Sequence, residues 1–502
     1  MKVLNELKEE LIKLFEKLNF PENLVSLSFS DRPEISDFQC NSAFALAKIL
    51  HKSPIEIANI IVKEFISENF DASVCTPGFI NFNFKNEYVS KCLKDYYNSE
   101  KLLTDFHKPK KIVLDYGGPN VAKPLHVGHL RPAVIGESLK RLAKFFGDEV
   151  ISDVHLGDWG LQMGLTIAGL ENHFDLSYYS NNSNKKPNTT IDDLNEIYPK
   201  ASAKSKVNEA FKKYSQEITT KLQHKEEPYY SIWKDIRDLS VNKIKEEYAK
   251  LNVSFDLYNG ESDSQGYIPR VFEILNSKNL IKLSEGAQIV EVASDTDNSP
   301  MPPVIVKSSA GAGLYATTDI ATILERKEKY NPNEIWYVTD NRQSLHFEQV
   351  FRACRLAGIG DGTKFIHCPF GTVNGSDGKP FKTRDGGVMP LSDLINLVTE
   401  KSNEKLKENN GEENFKLAQN IGVSALKFGD LINFRVKDYN LDLDKFCSFD
   451  GKTGPYLLYT IVRINSILSK AGEFEKDYSL DDNYAKLMLI NLLKLSDELE
   501  IV

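Results

Sequence analysis

The fold class of this 502-residue chain is decided by one stretch, Pro119-Asn120-Val121-Ala122-Lys123-Pro124-Leu125-His126-Val127-Gly128-His129-Leu130-Arg131. It follows an apolar run at residues 111–116, which is typical of a buried strand. We expect a helix from near Pro124 to residue 146, because proline is favoured in the first helical turn. A second strand is expected over residues 149–154. Strand, helix and strand form a βαβ unit, which predicts an α/β fold with a parallel sheet.

Two histidines in this stretch indicate its chemistry. His126 and His129 are three residues apart, so we expect them to share one helical face, and Gly128 between them lets a base or a phosphate approach the backbone. A helix N-terminus offers free N–H groups to an anion, and Lys123 adds a full positive charge. A bare pair of this kind is as often two ordinary surface histidines, but the preceding strand and the Asn, Lys and Pro neighbours favour a nucleotide site.

The stretch resembles the first ATP-binding motif of class I aminoacyl-tRNA synthetases, and over residues 119–131 it resembles arginyl-tRNA synthetases in particular. The resemblance implies a Rossmann-like parallel-sheet catalytic domain. It also implies that the two histidines contact ATP and stabilise the charge that develops on its phosphates during adenylate formation. The ATP-binding residues implied in this stretch are Pro119, Asn120, Lys123, His126, Gly128 and His129.

The second ATP motif of the family is a mobile lysine loop, and its candidate is the glycine-rich stretch 374–388. The glycines would let the loop close, so that Lys379 and Lys382 meet the triphosphate. Thr383 stands where the family's usual second lysine is expected, and the resemblance implies that Lys123 substitutes for it. Taken by itself, the loop is more typical of a solvated glycine hairpin. The catalytic residues implied by the resemblance are His126, His129, Lys123 and Lys382.

The amino-acid pocket is expected at the carboxyl ends of the strands, where α/β folds bind ligands. A guanidinium needs carboxylates in paired, planar geometry. Asp115 and Asp319 are expected to face the pocket from strand ends, although a structural role is the ordinary alternative for any single one of them. The arginine-binding residues implied by the resemblance are Asp115, Gly118, Asn120, His129, Tyr315, Asp319 and Gln343.

The segment 154–164 also resembles the family. Its three glycines, Gly157, Gly160 and Gly164, suggest close backbone packing near the active site. We expect this segment to be structural and assign it no catalytic role.

The chain length predicts three domains at roughly 150 residues each. We expect residues 1–107 to form an α+β unit. This unit resembles the added N-terminal domain with which arginyl-tRNA synthetases contact tRNA. A hydrophobic core explains the phenylalanines of the unit as well as contact with tRNA does. Residues 108–430 are expected to form the catalytic domain, with an insertion at about 165–300. Residues 431–502 resemble the start of the helical anticodon-binding domain. The sequence stops within an apolar helical pattern, so we expect that helical domain to be incomplete.

Composition limits the partners. Lys and Arg number 62 against 71 Asp and Glu, a net charge of −9, which excludes a globally basic nucleic-acid coat but permits a local basic face. No apolar run approaches the ~18 residues that a membrane span needs. None of the six cysteines forms a CxxC pair. We expect a cytoplasmic monomer without a protein-bound metal or a membrane partner.

The implied activity is ATP-dependent attachment of L-arginine to tRNA(Arg) through an arginyl-adenylate, with Mg²⁺ accompanying ATP as charge neutraliser. The partners are therefore arginine, ATP and tRNA. Two alternatives remain. A small-molecule nucleotidyltransferase would be near one domain in length, and a catalytically inactive, synthetase-like tRNA-binding protein would carry damaged ATP motifs.

Overall fold

A computed structural model describes residues 2–100, 102, 108–180, 186–308, 315–375, 378, 388–408, 414–473, 478 and 482–501. Internal contacts divide the chain into two units, of which the first is Met1–Lys108 with Ala471–Val502 and the second is Pro109–Lys470. Within these described ranges, no helix is long and apolar enough to cross a membrane.

The strands of the described ranges are β1 (Leu27–Phe29), β2 (Phe38–Cys40), β3 (Phe70–Cys75), β4 (Phe79–Phe84), β5 (Lys111–Tyr116), β6 (Glu149–Asp153), β7 (Ile281–Ser284), β8 (Ala287–Val290), β9 (Val304–Lys307), β10 (Glu334–Val338), β11 (Lys364–His367), β12 (Val373–Asn374) and β13 (Tyr439–Asn440). The α-helices are α1 (Lys2–Lys17), α2 (Ser42–Leu50), α3 (Pro54–Glu64), α4 (Asn86–Asn98), α5 (Leu130–Phe145), α6 (Leu161–Leu170), α7 (Ile191–Val207), α8 (Glu209–Gln223), α9 (Tyr229–Lys250), α10 (Glu261–Ser264), α11 (Ile268–Ser277), α12 (Tyr315–Tyr330), α13 (Ser344–Ala357), α14 (Leu391–Glu408), α15 (Phe415–Leu431), α16 (Leu443–Phe446), α17 (Gly454–Ala471) and α18 (Asn483–Ile501).

The first unit is an antiparallel sheet, in the spatial order β1-β2-β4-β3, packed with helices. Its core is aromatic. Phe38 and Phe82 are fully buried, and the Phe38 ring meets the Phe84 ring edge-on with 5.1 Å between centroids. Phe38 and Phe82 therefore belong to a hydrophobic core, as the sequence allowed, and burial leaves their faces no access to a base.

The second unit contains a parallel sheet in the order β11-β10-β5-β6, which confirms the predicted α/β fold. In chain order β5 comes first, β6 pairs with it on one side, and β10 and then β11 follow on the other side. The strand order therefore reverses between β5 and β10, whose last residues Tyr116 and Val338 are paired. Such a reversal leaves a crevice at the carboxyl ends of the strands.

The helix after β5 begins later than Pro124 predicts. A 3₁₀ turn covers Val127–His129, and α5 starts at Leu130. The reason is a long-range pairing, because Val127 N–H donates to Met389 O at 3.0 Å and Leu391 N–H donates to Leu125 O at 2.9 Å. These bonds hold the backbone extended at His126, so the expectation that the two histidines share a helical face is wrong.

Between β6 and β10 the chain forms α6 to α12 and the antiparallel sheet β7-β8-β9. Two of these helices bring side chains to the crevice, α10 through Glu261 and α12 through Tyr315 and Asp319. The connection from β6 to β10, which lie on opposite sides of β5, therefore supplies residues that the strands themselves lack.

Candidate active site

A cavity of about 540 Å³ opens at the carboxyl ends of β5 and β10. Its lining includes every residue that the sequence assigned to arginine, namely Asp115, Gly118, Asn120, His129, Tyr315, Asp319 and Gln343. Other polar side chains line the same space without having been predicted from the sequence, namely Tyr116, His155, Glu261, Tyr337, Thr339, Asp340 and His346. Residues from β5, α10, α12 and the segment after β10 thus surround one space.

A second cavity of about 270 Å³ adjoins the first. Lys123 and His126 line it, while Asn120 and His129 line both cavities. The Lys123 Nζ lies 4.6 Å from the centroid of the Tyr198 ring. The two cavities therefore share a wall that consists of an amide and an imidazole.

Not every residue assigned to ATP lies in the smaller cavity. Gly128 lines the larger one. Pro119 is buried, and its carbonyl accepts a hydrogen bond from Gly157 N–H at 3.1 Å. This carbonyl therefore stabilises the contact between the loop after β5 and the segment at Gly157. Lys379 and Lys382 lie outside the described residues, as does most of the stretch 374–388. The described residues resume at Val388, which lines the smaller cavity.

Backbone amides fix the tautomers of both histidines. His126 Nδ1 accepts from Gly128 N–H at 3.1 Å, and His129 Nδ1 accepts from His126 N–H at 3.0 Å. A neutral imidazole has one donor and one acceptor nitrogen. Each Nε2 therefore carries the proton and can donate a hydrogen bond. The ring centroids lie 4.1 Å apart.

Both imidazoles are neutral near pH 7. Burial lowers the pKa of His129 to about 3, helped by the nearby His126. Burial also lowers the pKa of His126, and the charge of Lys123 adds to this effect. The pair therefore offers an anion two N–H dipoles, and Lys123 offers the full positive charge.

Gly157 holds Asn120 in place. Its N–H donates to Pro119 O, its carbonyl accepts from Val121 N–H at 3.0 Å, and a Cβ on Gly157 would lie 2.3 Å from Asn120 Oδ1. Gly164 is equally close to its neighbours, since a Cβ there would lie 2.1 Å from Thr219 Oγ1. Close packing is thus confirmed at these two glycines. At Gly160 it is wrong, because no atom of the described residues lies within 4 Å of a Cβ there.

Asp115 belongs to a buried cluster of four charged groups. Arg326 Nη2 donates to Asp115 Oδ2 at 2.6 Å and to Asp153 Oδ2 at 2.8 Å. His155 Nδ1 lies 3.8 Å from Asp153 Oδ2. The backbone of His155 is in the left-handed region, with φ of +40°, which is unfavourable for a residue with a Cβ. One oxygen of Asp115 is therefore already bound by a guanidinium of the protein itself.

The groups of the cluster shift one another's pKa values. Burial raises the pKa of Asp115. For Asp153 burial acts in the same direction, but the interactions with His155 and Arg326 outweigh it and hold the pKa well below its usual range. Burial would lower the pKa of His155, but the Asp153 and Asp115 carboxylates raise it to about 9. The carboxyl groups of Asp115 and Asp153 therefore face the guanidinium of Arg326 and the protonated ring of His155 beside the cavity.

Asp319 lies on α12 and not at a strand end, so that part of its prediction is wrong. It reaches the crevice because α12 packs beside the sheet, one turn after Tyr315. Its Oδ2 lies 2.5 Å from His346 Nε2. Glu261, at the start of α10, is the second acid on this side of the cavity. Burial raises the pKa of Glu261 to about 7, and Asp158 and Asp319 add to the effect while His155 opposes it.

One of the missed residues had a visible signal. His346 lies three residues after Gln343, so a helix starting there would place both on one face. Glu261 and Arg326 carry no comparable pattern, because their neighbours at the site are far away in the sequence. No group of three or more His, Cys, Asp or Glu side chains that could hold a metal ion occurs among the residues that the structure describes.

Two family models match the chain. The model described as the class I tRNA synthetase (R) catalytic domain matches residues 93–443, and the model described as the arginyl tRNA synthetase N-terminal domain matches residues 1–84.

Relatives and solved structures agree with these matches. The chain is 45% identical to the arginine–tRNA ligase of Alkaliphilus oremlandii, over 96% of this chain and 85% of that protein. It is 46% identical to the arginine–tRNA ligase of Agathobacter rectalis, over 93% and 82%. The arginyl-tRNA synthetase of Plasmodium falciparum has the same fold, with a TM-score of 0.80 at 24% identity over 99% of this chain and 87% of that one. The Thermus thermophilus arginyl-tRNA synthetase gives a TM-score of 0.76 at 20% identity over the same shares.

Proposed function

Because this chain belongs to the family of class I arginyl-tRNA synthetases, it catalyses ATP-dependent attachment of arginine to tRNA, and we propose how its two cavities divide that reaction. The larger cavity binds arginine. The smaller cavity, together with the lysine loop, binds ATP. The observation that carries this division is the shared wall, because Asn120 and His129 line both spaces.

The shared wall is where the two substrates react. A carboxylate oxygen of arginine attacks the α-phosphorus of ATP, the bond to the bridging oxygen breaks, and pyrophosphate leaves with that electron pair. The product is arginyl-adenylate. The terminal ribose hydroxyl of tRNA then attacks the arginyl carbonyl carbon, and AMP leaves. Holding both substrates beside one another supplies a large part of the acceleration in reactions of this kind.

The histidines and lysines stabilise the charge that moves onto the phosphates. The Nε2–H groups of His126 and His129 are oriented before ATP arrives, because their Nδ1 atoms are already occupied. Preorganised donors of this kind need no reorganisation during the reaction. Lys123 and Lys382 supply full positive charge, and ATP enters as its Mg²⁺ complex.

The acidic side of the larger cavity binds the guanidinium. Asp115 is bound by Arg326 and Asp340 by Arg342, which leaves Asp319 and Glu261 as the lining acids that no arginine of the described residues binds. Tyr315 and Gln343 line the same space and supply polar contacts, while Gly118 and Asn120 hold the amino and carboxylate groups. Asp115 contributes through its second oxygen, since Arg326 occupies the first.

The domain assignment remains part of this proposal. Residues 1–107 contact tRNA, residues 108–430 carry out catalysis, and residues 431–502 begin the helical anticodon-binding domain. The protein acts as a monomer in the cytoplasm, where tRNA is charged. The alternatives of an inactive tRNA-binding protein or a small-molecule nucleotidyltransferase have no support among relatives that match over most of their length.

Substitution of the histidines tests the division. His126→Ala or His129→Ala should lower the rate of adenylate formation by about 10²–10³, the effect of losing one electrostatic donor. The KM for arginine should change little in His126→Ala, because His126 lines only the ATP cavity. Unchanged turnover in either variant, measured by charging of tRNA with labelled arginine, would rule out the assigned role.

A further inference from the structure

A short hydrogen bond joins His346 to Asp319 beside the larger cavity. Nε2 of His346 lies 2.5 Å from Oδ2 of Asp319, and both residues line the cavity. An ionised carboxylate can only accept a hydrogen bond, so Nε2 of His346 carries the proton and is the donor in this bond. Hydrogen bonds to a charged acceptor are shorter and stronger than neutral ones.

The bond connects two helices that each present a pair of residues to the cavity. On α12, Asp319 follows Tyr315 by four residues, and at the start of α13, His346 follows Gln343 by three. Side chains at these spacings share a helix face. Helices α12 and α13 are in contact. The His346–Asp319 bond is therefore a polar link between the two halves of the amino-acid site.

We propose that His346 is a positioning residue for arginine recognition, which holds one oxygen of Asp319 and leaves the other for the guanidinium. The inference rests on the arginine site proposed above. The terminal torsion of an aspartate is broad and roughly two-fold, so an unanchored carboxylate samples many planes. A guanidinium pairs with a carboxylate through a rigid planar fork, whereas an ammonium group is a point charge without a preferred plane. Anchoring Asp319 therefore favours arginine over lysine.

The test compares His346→Ala with His346→Gln in the charging of tRNA. Removing a hydrogen bond to a charged group costs about 1.5–3 kcal/mol, so His346→Ala should raise the KM for arginine about 10- to 100-fold. The kcat and the KM for ATP should stay within about three-fold, because arginine is then held less well before and during the reaction alike. The ratio of kcat/KM for arginine to that for lysine should fall.

The glutamine variant separates positioning from packing. The Nε2–H of glutamine can take the place of the imidazole Nε2–H, so His346→Gln should recover most of the affinity for arginine. His224→Gln is the matched control. His224 is an exposed histidine at the end of α8, and among the described residues its ring bonds only to Thr220 O, through Nδ1 at 2.8 Å. It should leave every parameter unchanged.

A double variant shows whether His346 acts through Asp319. In the Asp319→Asn background, which should itself raise the KM for arginine, adding His346→Ala should have no further effect. Additive effects, an unchanged KM in His346→Ala, or a glutamine variant no better than alanine would each overturn the inference while the arginine site stands. A wild-type KM in Asp319→Asn would instead overturn the arginine site and the inference together.

Discussion

Gly128→Ala should impair the ATP step by moving a neighbouring ring. A Cβ built on Gly128 would lie 2.8 Å from Cε1 and 2.9 Å from Nδ1 of His126. Ordinary contact between such atoms needs about 3.5 Å, so the imidazole must move by about 0.7 Å. That movement also breaks the bond from Gly128 N–H that fixes the tautomer of His126. Because the obstacle is a partly exposed side chain and not backbone, the fold should be retained.

The size of the effect follows from the displacement. A misplacement of about 1 Å in a catalytic constellation can cost about 10²-fold in rate, and complete loss of one donor costs about 10²–10³. We therefore expect kcat for tRNA charging to fall about 10- to 100-fold in Gly128→Ala. The KM for arginine should stay within about three-fold, because the acids that bind the guanidinium belong to α10 and α12.

Gly160→Ala is the matched control for this prediction. No atom among the described residues lies within 4 Å of a Cβ at Gly160, so the same added methyl group meets open space. The control should charge tRNA at the wild-type rate with an unchanged thermal midpoint. If Gly128→Ala had wild-type kcat and KM for ATP, the ring of His126 would not be a donor to the phosphates, and the reasoning would be refuted.

Three further predictions concern the charged groups around the larger cavity. Burial raises the pKa of Glu261 to about 7, so its carboxyl group becomes charged as the pH rises through 7. The KM for arginine should therefore fall between pH 6 and pH 8. Glu261→Gln should remove this pH dependence of KM, and a dependence that persists in the variant would contradict the role assigned to Glu261. Arg326→Met leaves Asp115 and Asp153 buried without their shared guanidinium. The variant should therefore lower the free energy of unfolding by about 3–5 kcal/mol, measured by urea denaturation. A loss below about 1 kcal/mol would contradict the inference that Arg326 stabilises these two buried aspartates. The pKa of His155 is raised to about 9 from an ordinary value of about 6.5. The protonated ring therefore contributes about 3 kcal/mol of stability, which is complete below pH 6.5 and is lost as the pH rises through 9. The thermal midpoint of His155→Asn should fall less than that of the wild type from pH 7 to pH 10, and an equal fall would exclude this role.

The parallel sheet could be predicted because its strands are short apolar runs flanked by turns, a pattern that depends on local sequence alone. The boundary of the following helix could not. Pro124 is a valid local signal for a helix start, yet the backbone near His126 bonds to residues about 260 positions away. Val127 N–H donates to Met389 O, and Leu125 O accepts from Leu391 N–H. Long-range pairing therefore overrides local propensity at the residues that carry the chemistry, and it turns the two histidines from neighbours on a helix into a mutually bonded turn.

The same limit applies to the acids of the cavity. Asp319 could be selected through the family motif, but no local pattern shows that a helix, and not a strand end, delivers it. Glu261 comes from the insertion and has no motif of its own, so its position beside Asp319 depends on how α10 packs against α12. Arg326 is hidden for a different reason, because an arginine in the middle of a helix is typical of a solvated surface, and only the tertiary structure buries it between two aspartates.

In the proposed arginine site, the position of Arg326 explains how the cavity can contain several acids and still select a single cation. Left alone, Asp115 and Asp153 would add two negative charges to those of Asp319 and Glu261, and adjacent buried carboxylates raise one another's pKa until some become protonated and lose their charge. Arg326 and the protonated His155 oppose the first pair, and Arg342 pairs with Asp340, so the negative charge that remains lies on the α10 and α12 side. In the proposed arginine site, a guanidinium within the fold thus restricts where a second guanidinium can bind. We expect the substrate at Asp319 and Glu261, the lining carboxylates that no arginine of the described residues binds.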